Sequence, residues 1–353
     1  MQLPKPQSVS EAILLTLAYF DAVGLPATTY EIWHYLIGHK ASYYEVDAAL
    51  HRSPVRDLVT HDRGYYSIRG QHALEHIAQR FEHQKRSEDL WRSARATATW
   101  LSAVPFVSSV SVANSAAVDN AGSASDLDLF IVAKPGRLWL SRFLVTGIVN
   151  VLGRRRHGVH VAGRACLSFY VTENALNFEQ LTSVMRDPYL AHWILQLGTL
   201  VDRGDLQQDL AQRHPWVSEI FPQAVFSQMS VRRKVSQRTN WIARNVQSWT
   251  EQLLKGRLGS FIERRSRSFQ LHWMKKEIPF ESKTASQHIV ITDDMLKFHE
   301  QDRRQWFMQK TIATYERLIA NNLDTNVDLS AVPHISRGGL QVVPVGATVT
   351  SSA

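Results

Sequence analysis

The chain of 353 residues is long enough for two or three domains, and its 44% hydrophobic content is ordinary for a packed globular protein. The single cysteine, Cys166, excludes an internal disulfide framework and a cysteine-rich zinc site, and it is typical of a reducing compartment. The start of the chain lacks a secretory signal pattern, and the most apolar window, residues 143–152, is too short to cross a bilayer. We therefore expect a cytoplasmic protein with no membrane partner.

The net charge of +8 is concentrated in one part of the chain. Residues 231–276 contain twelve basic and only two acidic residues, and aromatic residues alternate with the bases. This pattern predicts either a nucleic-acid partner, held by phosphate contacts and base stacking, or amphipathic helices with buried aromatic residues and solvated arginines. The aromatic residues concerned are Trp241, Trp249, Phe261, Phe269 and Trp273.

The N-terminal region predicts three short helices and a β-hairpin. The helices start at three capping boxes, in which a Ser or Thr is followed three residues later by Glu: Ser8, Thr28 and Ser42. Two short strand-like runs then flank an Asp-Arg-Gly turn at residues 62–64. This order favours a winged-helix domain over residues 1–70. Its third helix carries acids early, where a DNA-reading helix meets phosphates, so a packing or protein-contact role is at least as well supported as DNA binding.

The rest of the chain predicts an α/β (α+β) core with a small mixed sheet, followed by a helical C-terminal region. The core contains a strand at residues 105–113, a second strand beginning near Asp126, a helix, and a third strand over residues 165–172. We place the boundaries as a connecting helix at 71–102, the core at 103–175, a helical domain at 176–335 and a flexible tail at 336–353.

Two acidic residues, Asp126 and Asp128, begin the second core strand. Side chains at positions i and i+2 of a strand point to the same face, so the two carboxylates project together while Leu127 and Leu129 face the core. Paired carboxylates repel unless a cation lies between them. Hard oxygen ligands suit Mg²⁺ or Mn²⁺, which also bind substrate phosphates. The pair therefore predicts a metal site for phosphate chemistry.

A loop of small residues precedes the aspartate pair. Asn114 and Ser115 end the first core strand, and ten residues then lead to Asp126, with Ser125 directly before it. A helix starting at Asn114 would point free backbone amides and the Ser115 hydroxyl at an anion. Arg142, in the helix after the second strand, could reach phosphate or face solvent. The phosphate-binding candidates are Asn114, Ser115, Ser125 and Arg142.

This arrangement of a strand, a small-residue loop, about ten residues and Asp-x-Asp in an apolar strand resembles the nucleotidyltransferase fold shared with DNA polymerase β. The wider order also resembles bacterial nucleotidyltransferase-domain proteins with an N-terminal winged helix. The resemblance implies that Asn114 and Ser115 bind a nucleoside triphosphate and that Asp126 and Asp128 bind Mg²⁺ or Mn²⁺. It implies transfer of a nucleoside monophosphate to an unidentified acceptor, for which nucleic acid bound at 231–276 is one candidate.

Two positions depart from that family and leave alternatives open. The family's first loop residue is usually glycine, whereas this chain has Asn114, which tolerates a left-handed conformation. The third carboxylate of polymerase-type members has Cys166 or Ser168 at its place, and Glu173 follows only at the end of the strand. The chain thus works with two carboxylates, uses Glu173, or is a winged-helix regulatory or nucleic-acid-binding protein with an inactive nucleotidyltransferase domain.

Asp-x-Asp has two further interpretations. The motif also marks metal-dependent glycosyltransferases, but there the apolar strand precedes the aspartates, whereas here the apolar residues follow them. The plainer interpretation is a strand entrance with two solvated acids. The loop at Asn114 and Ser115 favours a functional site over that interpretation.

Overall fold

A computed structural model of the chain describes residues 2–158, 160–181, 187–226, 241–277, 289–298 and 303–323, and it is a mixed α/β structure. The helices are α1 Val9–Val23, α2 Thr29–His34, α3 Tyr43–Leu50, α4 Val55–Leu58, α5 Ala73–Leu101, α6 Asn114–Ala117, α7 Leu138–Val151, α8 Pro188–Leu195, α9 Leu206–Arg213, α10 Val217–Ile220, α11 Trp241–Leu254, α12 Arg257–Glu277 and α13 Arg304–Leu323. The strands are β1 Ala27–Thr28, β2 Val59–Asp62, β3 Tyr65–Ile68, β4 Val107–Val112, β5 Leu127–Ala133, β6 Ala165–Thr172, β7 Gly198–Asp202, β8 Val290–Ile291 and β9 Met295–Lys297. The predicted tail at 336–353 and the basic residues 231–240 lie outside the described residues.

The N-terminal helices begin at the predicted caps. Thr28 and Ser42 form complete capping boxes, and Ser8 accepts a hydrogen bond from the Glu11 amide. The three strands of this region form an antiparallel sheet in the order β1-β3-β2. Arg63 and Gly64, both with positive φ, form the turn between β2 and β3, as two-residue hairpin turns require.

Helix α1 is buried along most of its length and contacts α3 and α13. The Tyr19 hydroxyl lies 2.8 Å from Nδ1 of His192 in α8, in the interior of the protein. The N-terminal helices therefore share one continuous hydrophobic core with α8 and α13.

The central sheet has six strands in the order β7-β4-β5-β6-β9-β8, in which only β5 and β6 are parallel to each other. Three of these strands, β7, β8 and β9, come from residues 176–335, which we expected to be helical. The region predicted to be helical therefore also contributes strands to the central sheet. Strand β7 is a short apolar run of five residues, and the periodicity of such a run does not distinguish a strand from a helix segment.

The two faces of the central sheet pack against different helices. Leu129 and Ile131 of β5 face a core formed with α5 and α7, while Phe130 and Val132 face the core that contains α1 and α8. Because side chains alternate along a strand, Asp128 lies on the same face as Phe130.

Among the helices in the described part of the chain, none is long and apolar enough to cross a membrane.

Candidate functional site

The aspartate pair lies at the start of β5, beside the first residues of β6. Asp126 directly precedes the strand and Asp128 is its second residue, paired in register with Cys166 of β6. One ligand atom from each of Asp126, Asp128 and Cys166 lies within 4.8 Å of the other two, and these three residues could hold a metal ion. Burial, and secondarily the charge of Asp126, raises the pKa of Asp128 to about 6. A cation between these groups would remove that electrostatic cost.

Cys166 pairs with Asp128 across β5 and β6, at a place where the resemblance noted in the sequence predicts a third carboxylate. Burial raises the pKa of the Cys166 thiol to about 12, and the charge of Asp128 adds to the shift. The thiol is therefore protonated at neutral pH unless a cation displaces the proton.

Asn114 connects the loop, β5 and α8. It adopts the left-handed conformation with φ of +56°, and it begins the single turn α6. Its Nδ2 donates to Asp128 Oδ2 at 2.7 Å, and its Oδ1 accepts the indole N–H of Trp193 at 3.0 Å. The Ala113 amide also donates to the carbonyl of Asp128 at 3.0 Å. The loop residue predicted to approach phosphate is thus held against the predicted metal ligand.

The two candidate serines lie next to each other at the ends of the loop. Ser115 Oγ and Ser125 Oγ are 3.4 Å apart, and Ser125 Oγ accepts the Gly122 amide at 2.9 Å. These contacts close the loop onto the residue that precedes Asp126.

Arg156 contributes a cation to the site. Its Nη1 donates to Asp126 Oδ2 at 2.7 Å and lies 3.9 Å from Cys166 Sγ. Arg156 lies thirty residues after Asp126, and no spacing rule in the sequence indicates their contact. Trp193, whose indole N–H donates to Asn114, is the second residue of this site that the sequence did not reveal.

Two candidates lie away from the aspartates. Arg142 donates to Gln270 and packs against Tyr170, whose side chain belongs to the core on the opposite face of the sheet from Asp128. Glu173 follows the far end of β6, roughly 20 Å along the strand from Cys166. It accepts hydrogen bonds from Ser108 at 2.6 Å and from Lys134 at 2.7 Å. The structure does not bring Arg142 or Glu173 to the metal-binding group.

A pocket of about 350 Å³ opens beside Asn114 and Asp128. Its walls are largely aromatic, and basic side chains approach from β9 and the start of α13. The principal lining residues are Phe130, Phe169, Phe178, Trp193, Phe307, Lys297, Arg303 and Arg304. A pocket lined by aromatic rings together with acidic and basic side chains can bind a planar ring that carries charged groups.

The donor set fits a divalent cation. Two carboxylates supply hard oxygen ligands, which suit Mg²⁺ or Mn²⁺, and the thiol adds a softer one, which favours Zn²⁺ more than an all-oxygen site would.

Comparison of the chain with models of known protein families, with curated proteins and with solved structures finds no match.

Proposed function

We propose that this chain is a metal-dependent nucleotidyltransferase, which moves a nucleoside monophosphate from a nucleoside triphosphate to an acceptor and releases pyrophosphate. The observation that carries the proposal is the grouping of Asp126 with Asp128 beside Asn114, where Asn114 and Asp128 line a pocket of nucleotide size. The winged-helix and nucleotidyltransferase assignments are part of this proposal. They are supported by the β1-β3-β2 sheet with α1–α3 and by the order β4, loop, β5, α7, β6.

The aspartates, the residues of the loop and the pocket wall have separate roles in this reaction. Asp126 and Asp128 would hold Mg²⁺ or Mn²⁺, which supplies charge neutralisation to the triphosphate. Asn114 orients the Asp128 carboxylate, and Ser115 and Ser125 offer hydroxyl groups to phosphate oxygens. An acceptor oxygen then bonds to the α-phosphorus as the bond to the pyrophosphate oxygen breaks. The aromatic wall of the pocket would pack against the base.

A second candidate is a winged-helix regulatory protein whose nucleotidyltransferase domain binds nucleotide without turnover. Two observations favour it. The Arg156 guanidinium already balances the charge of Asp126, and a neutral thiol stands where the third carboxylate is expected. In this case nucleotide binding would change a contact made elsewhere on the protein.

The two candidates are distinguished by incubating the protein with α-labelled nucleoside triphosphates, Mg²⁺ or Mn²⁺, and acceptors that include RNA and protein. The enzyme transfers label and releases pyrophosphate, and Asp126→Asn and Asp128→Asn abolish both. Asp89→Asn, which changes an exposed aspartate of α5, is the matched control and keeps activity. Saturable nucleotide binding without pyrophosphate release supports the second candidate, and no metal-dependent nucleotide binding rejects both.

A further inference from the structure

Helix α11 turns its polar side chains towards the protein. Gln247 is almost fully buried, and its Nε2 donates to the carbonyl oxygens of Val104 at 3.0 Å and Val107 at 3.3 Å. Glu251 Oε1, one turn further on, accepts the Phe106 amide at 2.7 Å. Hydrogen bonds to the backbone of residues 104–107 therefore attach this face of α11 to the start of β4 and the segment before it.

A stripe of three apolar side chains of α11 points to solvent. Val246, Trp249 and Leu253 follow at i, i+3 and i+7, so they share one face, and each is between 46% and 68% exposed. A surface helix of a globular protein normally buries such a stripe. The reversed orientation leaves an apolar face that some other surface must cover to gain the free energy of burial.

Helix α12 repeats the pattern. Glu263 accepts the amides of Trp139 at 2.9 Å and Leu140 at 2.8 Å, which satisfies the first turn of α7. The buried Gln270 donates to the carbonyl of Trp139 at 2.7 Å. The apolar residues of the outer face are each just over half exposed, and they are Leu258, Phe261 and Phe269.

The outer face of α12 is also positively charged. Both acids of α11 and the first five turns of α12, Glu251 and Glu263, are engaged inward, whereas Arg257, Arg264 and Arg265 are exposed. These arginines are three or four residues from Phe261 on the helix, and the guanidinium of Arg265 lies 5.6 Å from the Phe261 ring. The outward charge of this face is therefore complementary to an anionic partner.

We propose that α11 and α12 dock the protein onto an anionic lipid surface. An interfacial helix places aromatic and aliphatic side chains at the headgroup boundary and basic residues against anionic headgroups, and these helices offer both. A nucleic acid fits less well because two of the three residues of the exposed α11 stripe, Val246 and Leu253, are aliphatic and offer no ring to stack on a base. The helices lie on the surface and do not span it.

This inference does not depend on the proposed nucleotide chemistry, because the α11–α12 surface shares no residue with the aspartate site. It is tested by co-sedimentation of the full chain with vesicles of phosphatidylcholine, with and without phosphatidylglycerol. We expect binding only to the anionic vesicles, weakened by salt. Trp249→Gln combined with Leu253→Gln should lower the partition coefficient by about tenfold or more, because two apolar side chains no longer enter the interface.

The matched control is Trp100→Gln, which removes an equally exposed tryptophan of α5 and should leave partitioning unchanged. Arg257→Gln combined with Arg264→Gln should reduce the preference for phosphatidylglycerol. All five replaced side chains are exposed, and an unchanged thermal midpoint establishes that each variant is folded. The proposal is overturned if the wild-type protein ignores anionic vesicles or if Trp100→Gln loses as much binding. It is also overturned if Trp249 and Leu253 are needed only for RNA binding or only for self-association in light scattering.

Discussion

Asn114 Nδ2 lies 2.7 Å from Asp128 Oδ2 while the Asn114 backbone has a φ of +56°. One residue thereby meets two demands, since asparagine tolerates the left-handed region and its amide reaches the carboxylate. Glycine would meet only the first demand.

Replacement of Asn114 separates these two contributions. Asn114→Gly and Asn114→Ala both lose the hydrogen bonds to Asp128 and Trp193, but only alanine is strained at positive φ. We expect the alanine variant to be less stable than the glycine variant by about 1 kcal/mol. Urea unfolding of the two variants measures this difference, and equal stability would show that the backbone conformation imposes no cost.

Arg156 competes with a metal ion for Asp126. Its Nη1 lies 2.7 Å from Asp126 Oδ2, so a cation that binds this carboxylate must displace or share the contact. Arg156→Gln should therefore increase the affinity for Mn²⁺ by about tenfold, measured by titration calorimetry without nucleotide. Arg155→Gln in the same loop is the control. Unchanged or weaker Mn²⁺ binding in Arg156→Gln would contradict the competition.

Cys166 should set the choice of metal. A thiolate prefers Zn²⁺ over Mg²⁺, and binding through sulfur must release the proton that burial retains. We expect Cys166→Ser to weaken Zn²⁺ binding by about tenfold or more and Mg²⁺ binding far less. Equilibrium dialysis with each metal measures the two changes. Equal losses for both metals would mean that the thiol is not a ligand.

His192 should make stability depend on pH. Burial lowers the pKa of His192 to about 3, and its Nδ1 lies 2.8 Å from the Tyr19 hydroxyl. Between pH 6.5 and 3 the unfolded chain binds a proton at this residue that the folded chain excludes, so stability falls as pH falls, by about 1.4 kcal/mol per unit. Above pH 6.5 this contribution is complete.

The pH dependence is isolated by substitution. His192→Gln should show a shallower fall of the unfolding free energy between pH 6 and pH 4 than the wild-type protein, since the depressed titration is gone. His51→Gln, at an exposed position, should keep the wild-type slope. An identical slope for all three proteins would place the acid sensitivity elsewhere.

Local hydrogen bonding made much of the fold predictable. The caps at Ser8, Thr28 and Ser42 and the turn at Arg63 and Gly64 depend on neighbouring residues, and each is present where the sequence indicated it. Strands β7 and β9 were not predicted because they are short and join the sheet by pairing with strands that are distant in sequence. Contacts of that kind leave little trace in a local pattern.

The candidate site was likewise predictable only in part. Asp126, Asp128 and Asn114 were found because a strand and a loop of fixed spacing bring them together. Arg156 and Trp193 reach the site from separate segments, and no spacing rule links them to it. The exposure of the apolar side chains on α11 and α12 was not predicted either. The rule that a surface helix buries its apolar stripe assumes that no partner outside the chain covers that stripe.

We propose above that Asp126 and Asp128 bind a metal together with a nucleoside triphosphate. The decisive measurement is titration calorimetry with a non-hydrolysable triphosphate, with Mn²⁺ and then with excess chelator. We expect saturable binding that requires the metal and weakens by about a hundredfold or more in Asp126→Asn combined with Asp128→Asn. Binding that survives the chelator, or is unchanged in that double variant, would contradict it.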